Sequence, residues 1–177
     1  TMQALKLLTA AQYIEYIETV QNSIDRSELQ SDLDEIREEL YKSGYASRMK
    51  NYTPQKNRTP TVLEFRTTGG YRVLCGKNNV QNEYITHKIA EKHDYWFHAK
   101  SVAGSHVLLI TNGEEPGEED FTEAAMIAAH YSKAAGGALV AVDYLFAKSI
   151  KRVPGAKPGF VTYNTNWTAY VTPNADR

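Results

Sequence analysis

The 177-residue chain contains a single cysteine, Cys75, which excludes an internal disulfide framework. Lying in an apolar stretch, Cys75 reads as a small buried hydrophobe. No apolar run approaches the roughly 20 residues needed to cross a bilayer. The first residues also lack the basic, apolar and small-residue series of a secretory signal. These absences point to a cytoplasmic protein with no membrane insertion, and an opening in mid-pattern at Thr1 suggests a piece of a longer protein. A charge bias is missing too: 20 Lys and Arg stand against 21 Asp and Glu, for a formal net charge of −1. That is not the balance of a generic polyanion binder. The histidines at 87, 93, 98 and 106 follow no metal-ligand spacing, so neither metal nor cofactor is expected.

The charges that are present are unevenly spread. Glu114, Glu115, Glu118, Glu119, Asp120 and Glu123 crowd one stretch, while most of the remaining globular part is enriched in Lys and Arg, so a neutral total can hide a basic face. Two helix starts open the chain, Thr9 with Gln12 and Ser27 with Gln30, each spaced as a capping box. They predict helices over 10–24 and 28–43. Tyr13, Ile14, Ile17 and Val20 form one apolar face and Leu29, Leu33, Ile36 and Leu40 the other, with the acidic faces exposed. Residues 1–45 then form a helical hairpin, the base of a coiled-coil arm, and the aperiodic, basic residues 46–60 form a linker.

Residues 61–177 read as an α+β domain, a mostly antiparallel sheet packed with two helices. A hairpin (VLEF, YRVLC) turns through Thr67, Thr68, Gly69 and Gly70. Asn78 with Gln81 starts a helix over 79–92. The run DYWFHAK is a strand, SHVLLI its hairpin partner. An alanine-faced helix started by Asp120 follows, then the strand ALVAVDYLF. The strands FVTY and TAYVTP complete the sheet.

The stretch from 71 to 110 carries more polar and aromatic residues than a core requires. Lys77 stands outside a helix N-terminus, where free N–H groups favour an anion such as phosphate; the plain alternative is that Asn78 and Asn79 cap the helix. It is not a Walker loop. Strand alternation puts Trp96, His98 and Lys100 on one face and Phe97 and Ala99 on the other. An indole, an imidazole and an ammonium in a row suit base stacking with phosphate contact, or bracing of the sheet. Lys148, Lys151, Arg152 and Lys157 sit among rigid Pro-Gly turns that can meet phosphates. Asp143 reads as a hydrogen-bond acceptor. An acid-base role for it with His98 or His106 would need those groups within reach of one another; no nucleophile motif supports it, and no enzyme is expected.

The pieces GKNNVQNEYIT (76–86), DYWFHAKSVAGSHV (94–107), EAAMIAAHYSKA (123–134), VDY (142–144) and GAKPGFVTY (155–163) together resemble the RNA-binding R domain of the NFACT family, and DLDEIREELYKSGY (32–45) resembles the family's junction with its coiled coil. The resemblance implies a ribosome-associated quality-control role: binding tRNA and large ribosomal subunits obstructed by peptidyl-tRNA, in support of template-free alanine tailing. It marks Lys77, Asn78, Asn79, Gln81, Asn82, Trp96, His98, Lys100, Ser105 and His106 as candidate RNA contacts, with Lys157 added from the basic loop. Because the family includes streptococcal fibronectin-binding proteins, the alternative is a fibronectin-binding surface adhesin.

Overall fold

The computed structural model describes residues 1–45, 52–53 and 59–176, so the predicted linker at 46–60 lies largely outside the described residues. Helix α1 spans Met2–Asp25 and α2 spans Gln30–Lys42. The first begins well before the predicted start at Thr9: Thr1 caps it, its hydroxyl accepting from Ala4 N at 3.4 Å. At α2 the expected cap Ser27 instead donates to Ser23 O at 2.8 Å. Its place is taken by the Asp32 carboxylate, which accepts from Leu29 N at 3.2 Å and Glu28 N at 3.3 Å.

The hairpin closes along a short seam of Tyr16, Val20 and Ile36, backed by Leu40. Tyr13, Ile14, Ile17, Leu29 and Leu33, expected in its apolar faces, are exposed. The seam is too short to cover them, and helical periodicity alone cannot tell which apolar positions meet a partner.

Strands β1 Leu63–Arg66, β2 Arg72–Cys75, β3 Tyr95–Ala99, β4 Val107–Ile110, β5 Val140–Phe146, β6 Lys151–Arg152, β7 Val161–Thr162 and β8 Trp167–Val171 follow. Six of them form one sheet in the order β1-β2-β4-β3-β5-β8, antiparallel at every pairing. The predicted hairpin of DYWFHAK with SHVLLI is the β3–β4 pair. FVTY, expected in this sheet, supplies β7, which pairs only with β6 in a separate ribbon. The fold class is α+β, as expected.

The sheet is covered unequally. On one face lies α4, Glu118–His130, whose Ala124, Ala125, Ala128 and Ala129 are fully buried. These small side chains let the helix approach Val73, Phe97, Val107 and Val142 closely. Its acidic first turn fastens a second element. Asp120, expected as the cap, lies inside the helix and accepts from Gly117 N at 2.8 Å and Gly69 N at 2.9 Å. Glu123 accepts from Thr68 N at 2.8 Å and Thr68 Oγ1 at 2.6 Å. The β1–β2 turn is thereby held on the helix. On the other face, α3 Asn79–Tyr84 continues into a π turn over Ile85–Ile89. It covers Leu74 and Leu108 through Ile85 and leaves the β3 and β5 end of that face to a cleft walled by α1 and residues 158–163. Among the described residues no helix is long and apolar enough to cross a membrane.

Candidate nucleic-acid interface

Asn78 starts α3 as expected: its Oδ1 accepts from Gln81 N at 3.0 Å, and Gln81 Oε1 accepts from Lys77 N at 2.9 Å. The amide N–H2 groups of the same residues then reach away from the sheet, to α2. Asn78 Nδ2 and Gln81 Nε2 both donate to Glu35 Oε2 at 2.8 Å. Asn79 Nδ2 donates to Glu39 Oε1 and Thr19 Oγ1, each at 3.0 Å. Lys77 pairs with Asp32. Asp32, Glu35 and Glu39 are spaced i, i+3, i+7 and so share one helical face.

This face was expected to be solvated, yet Asp32 and Glu39 are buried. Carboxylates leave water only when donors replace it, and the amide-rich motif supplies those donors. Lys77 has a side chain only 12% exposed. The anion that the start of α3 favours is thus provided by the protein itself, and Asn78, Asn79, Gln81 and Asn82 are all buried. Burial alone would raise the Asp32 carboxyl, but hydrogen bonds from Lys77, Leu29 and Glu28 and the Lys77 charge hold it below the usual range. Glu39 is pushed up by burial, with Tyr16, Asn79 and Lys157 only partly offsetting this.

Lys157 joins the same joint. Its Nζ lies 4.7 Å from the Tyr45 ring centroid and 5.5 Å from that of Tyr16. It also donates to Ser43 O at 3.4 Å, where a cation suits the end of α2. Arg152 is paired with Glu83 at 2.9 Å.

Strand alternation places Trp96, His98 and Lys100 on the face away from α4, with increasing exposure along the strand. Trp96 is 1% exposed. Its Nε1 donates to Thr86 Oγ1 at 3.0 Å, and the same oxygen lies 2.7 Å from His106 Nδ1. His106 N donates to Asn82 Oδ1 at 3.0 Å. The His98 ring stacks on Trp96 at 5.7 Å and 9°, and meets His106 edge-on at 5.7 Å. Lys100, 49% exposed, has its Nζ 3.8 Å from Asp143 Oδ1. Ser105 is buried, with its N–H donating to Tyr131 O at 3.0 Å. Burial pushes the Cys75 thiol up to about 12, which suits an inert core residue.

The open end of this face is a cleft of about 560 Å3 between α1, β3, β5 and residues 158–163. It gathers Trp96, His98, Lys100, His106, Asn79 and Asn82 from the predicted set; Lys77, Asn78, Gln81, Ser105 and Lys157 lie elsewhere. Asp143 completes it, and sequence reasoning missed the partners that fix Asp143 there. Asp143 faces His98 across the β3–β5 pair. Its Oδ2 accepts from Tyr163 OH at 2.9 Å and its Oδ1 from Thr168 Oγ1 at 2.9 Å. His98 and Asp143 are therefore neighbours, but the carboxylate is fixed by hydroxyls. Asp143 was legible as an acceptor; Tyr163 and Thr168 left no local signal of their common target. Lys133 borders the same side and lies 3.5 Å from Glu18. Among the described residues no group of three or more His, Cys, Asp or Glu is placed to hold a metal ion.

Burial holds both cleft histidines below the usual imidazole range, His106 furthest, with His98 adding to its shift. A group with a lowered folded pKa stabilises the fold fully above its unfolded value, about 6.5 for histidine. That contribution is lost as pH falls from there toward the folded value. Glu39 acts in the opposite sense, its contribution being lost as pH rises through its raised value. Burial also lowers His87 and His130 and raises Glu15, so with four histidines against two carboxyls stability is expected to fall between pH 7.5 and 5.5. The slope is at most about 1.4 kcal/mol per pH unit for each extra proton bound by the unfolded chain. Urea midpoints at the two pH values check this, and an unchanged midpoint contradicts it.

Residues 61–163 match the model of the NFACT protein RNA binding domain. RqcH of Bacillus subtilis strain 168, an Rqc2 homologue, is 41% identical over 169 residues, covering 94% of this chain and 29% of that protein. RqcH of Streptococcus suis is 43% identical over 164 residues, again covering 29% of its length. The chain therefore spans under a third of these relatives. The C-terminal structure of the fibronectin/fibrinogen-binding protein from Streptococcus suis superposes with a TM-score of 0.86 at 40% identity, covering 99% of this chain and 72% of that one. A helical hairpin joined through α3 to a six-stranded antiparallel sheet, with the family's domain model matched across most of that sheet, places the chain in the NFACT family.

Proposed function

We propose that this chain is the RNA-binding module of a cytoplasmic, ribosome-associated quality-control factor. In that role it contacts tRNA and large ribosomal subunits obstructed by peptidyl-tRNA, and supports template-free alanine tailing carried out by the longer protein. It binds and positions RNA without itself catalysing a reaction. The observation that carries this reading is the cleft between α1, β3, β5 and residues 158–163, where a half-exposed lysine stands beside partly buried rings. Membership of the NFACT family, through its RNA binding domain, supports it.

Fluorescence anisotropy with labelled tRNA at low salt tests the proposal. Affinity is expected to fall with salt, with a log-log slope of very roughly −0.7 to −0.9 per phosphate contact. Lys100→Glu is expected to weaken binding about tenfold, or ~1.4 kcal/mol. Its thermal melt should fall only modestly, because the half-exposed ion pair it loses contributes little to stability and the repulsion from Asp143 that replaces it is screened by solvent. Absence of binding at low salt would sink the proposal.

The likeness to the streptococcal fibronectin/fibrinogen-binding protein favours a second reading, a fibronectin-binding surface protein. Immobilised fibronectin and surface labelling of intact cells, with a cytoplasmic marker as control, distinguish the two.

A further inference from the structure

We infer that Asp143 reads the ribose 2′-hydroxyl of a bound strand, so that the cleft discriminates RNA from DNA. The inference rests on the proposed RNA binding and names the chemical group this site would recognise. An ionised carboxylate only accepts hydrogen bonds and offers about four lone-pair positions. At Asp143 the hydroxyls of Tyr163 and Thr168 fill one position on each oxygen, both at 2.9 Å. They also fix the plane of the group. The nearby cation is not a tight partner: Lys100 Nζ stands 3.8 Å away on a half-exposed side chain. What remains at the cleft floor is an oriented acceptor, 5% exposed, with acceptor capacity still to be met.

A ligand entering this cleft can therefore present a donor to the remaining lone pairs of Asp143. Lys100 beside it can meet an anion on the same ligand, within a few ångströms of that donor, on the side of the cleft away from Glu15 and Glu18 of α1. RNA carries this pair in every nucleotide, since the 2′-hydroxyl is vicinal to the 3′-phosphate. DNA has the phosphate without the hydroxyl, and the 2′-OH is what lets a protein separate the two polymers. Partly buried rings flank the acceptor: His98 lies opposite Asp143 in the strand register, and Tyr163 is hydrogen-bonded to it. The volume of about 560 Å3 is within the range of pockets that enclose small organic ligands. A single nucleotide splayed from its strand fits these dimensions and this chemistry.

The test uses the full chain and one single-stranded sequence in three forms: RNA, 2′-deoxy and 2′-O-methyl. RNA is expected to bind about tenfold more tightly than either analogue, the scale of one hydrogen bond to a charged group. The 2′-O-methyl strand keeps the RNA-like sugar pucker but replaces the hydroxyl donor with a bulkier methyl ether, so it separates loss of the hydroxyl from a change of helix geometry. Asp143→Ala, checked by its melt, is expected to bring the three affinities together. If that variant does not fold, the three-strand series on the unmodified chain still decides. Equal affinities for all three strands overturn the inference and leave the RNA-binding proposal standing. An RNA preference that survives in Asp143→Ala, or one lost with DNA but kept with 2′-O-methyl RNA, overturns it as well. Absence of binding to any strand at low salt removes the underlying proposal instead.

Discussion

Replacing Gly76 by alanine is expected to destabilise the chain by about 2–5 kcal/mol, the sum of a steric and a polar effect. A Cβ at this position would lie 2.1 Å from Asn82 Oδ1 and 2.9 Å from Asn82 N. The backbone cannot simply retreat. Gly76 N donates to His106 O at 3.1 Å, and Asn82 N donates to Asn78 O at 2.9 Å. Asn82 must instead swing its carboxamide aside, which strips His106 N of its acceptor in a buried setting. Overpacking costs about 1–3 kcal/mol and an orphaned buried donor a similar amount. Urea unfolding measures the sum. Gly136→Ala is the control: a Cβ there meets nothing within 4 Å, so its effect is expected to stay within about 0.5 kcal/mol. Equal stability of the two variants would show that the Gly76–Asn82 contact is not as described.

Trp96→Ala is expected to cost about 3–5 kcal/mol of stability, the range for removing a large buried aromatic side chain. The indole fills space against Thr86, His98, His106 and Tyr163, and its N–H is bonded to Thr86. Trp96→Phe keeps a ring and loses the hydrogen bond, so about 1–3 kcal/mol is expected. RNA affinity of the Phe variant should be unchanged, because a side chain 1% exposed offers no face to a base. A base-stacking role predicts the reverse, with about 1–3 kcal/mol lost from binding. Melts and anisotropy on the same two variants separate the alternatives left open by the alternation pattern.

Local patterns were legible in the sequence to the extent that they are self-contained. Asn78 with Gln81 announced the start of α3, and period-two alternation placed Trp96 and His98 on one face and Phe97 on the other. The alanines of α4 marked a close approach to the sheet. Partners 40 or more residues apart were not legible. Asp32, Glu35 and Glu39 form an acidic helical face of the kind that is usually solvated, and nothing around them shows that Lys77, Asn78, Asn79 and Gln81 will meet them.

The same gap explains the candidate contacts. Polar residues in a run suggest a ligand, but protein carboxylates and external phosphates call for the same donors. Alternation likewise could not say which half of a strand is covered. Trp96 lies beneath the π turn that carries Thr86, while Lys100 lies beyond it. The two-residue pairing of β6 with β7 is shorter than any periodic signal, so FVTY read as a strand of the main sheet.

The division of labour is thus between an amide-rich joint that holds the hairpin and a cleft that faces outward. Amide chemical-shift mapping of the 15N-labelled chain, titrated with tRNA at low salt, tests it most directly. Perturbations are predicted at residues 100–104 and 159–163 and at His98, which line the cleft. Shifts confined to residues 77–82, with the cleft silent, would contradict the account.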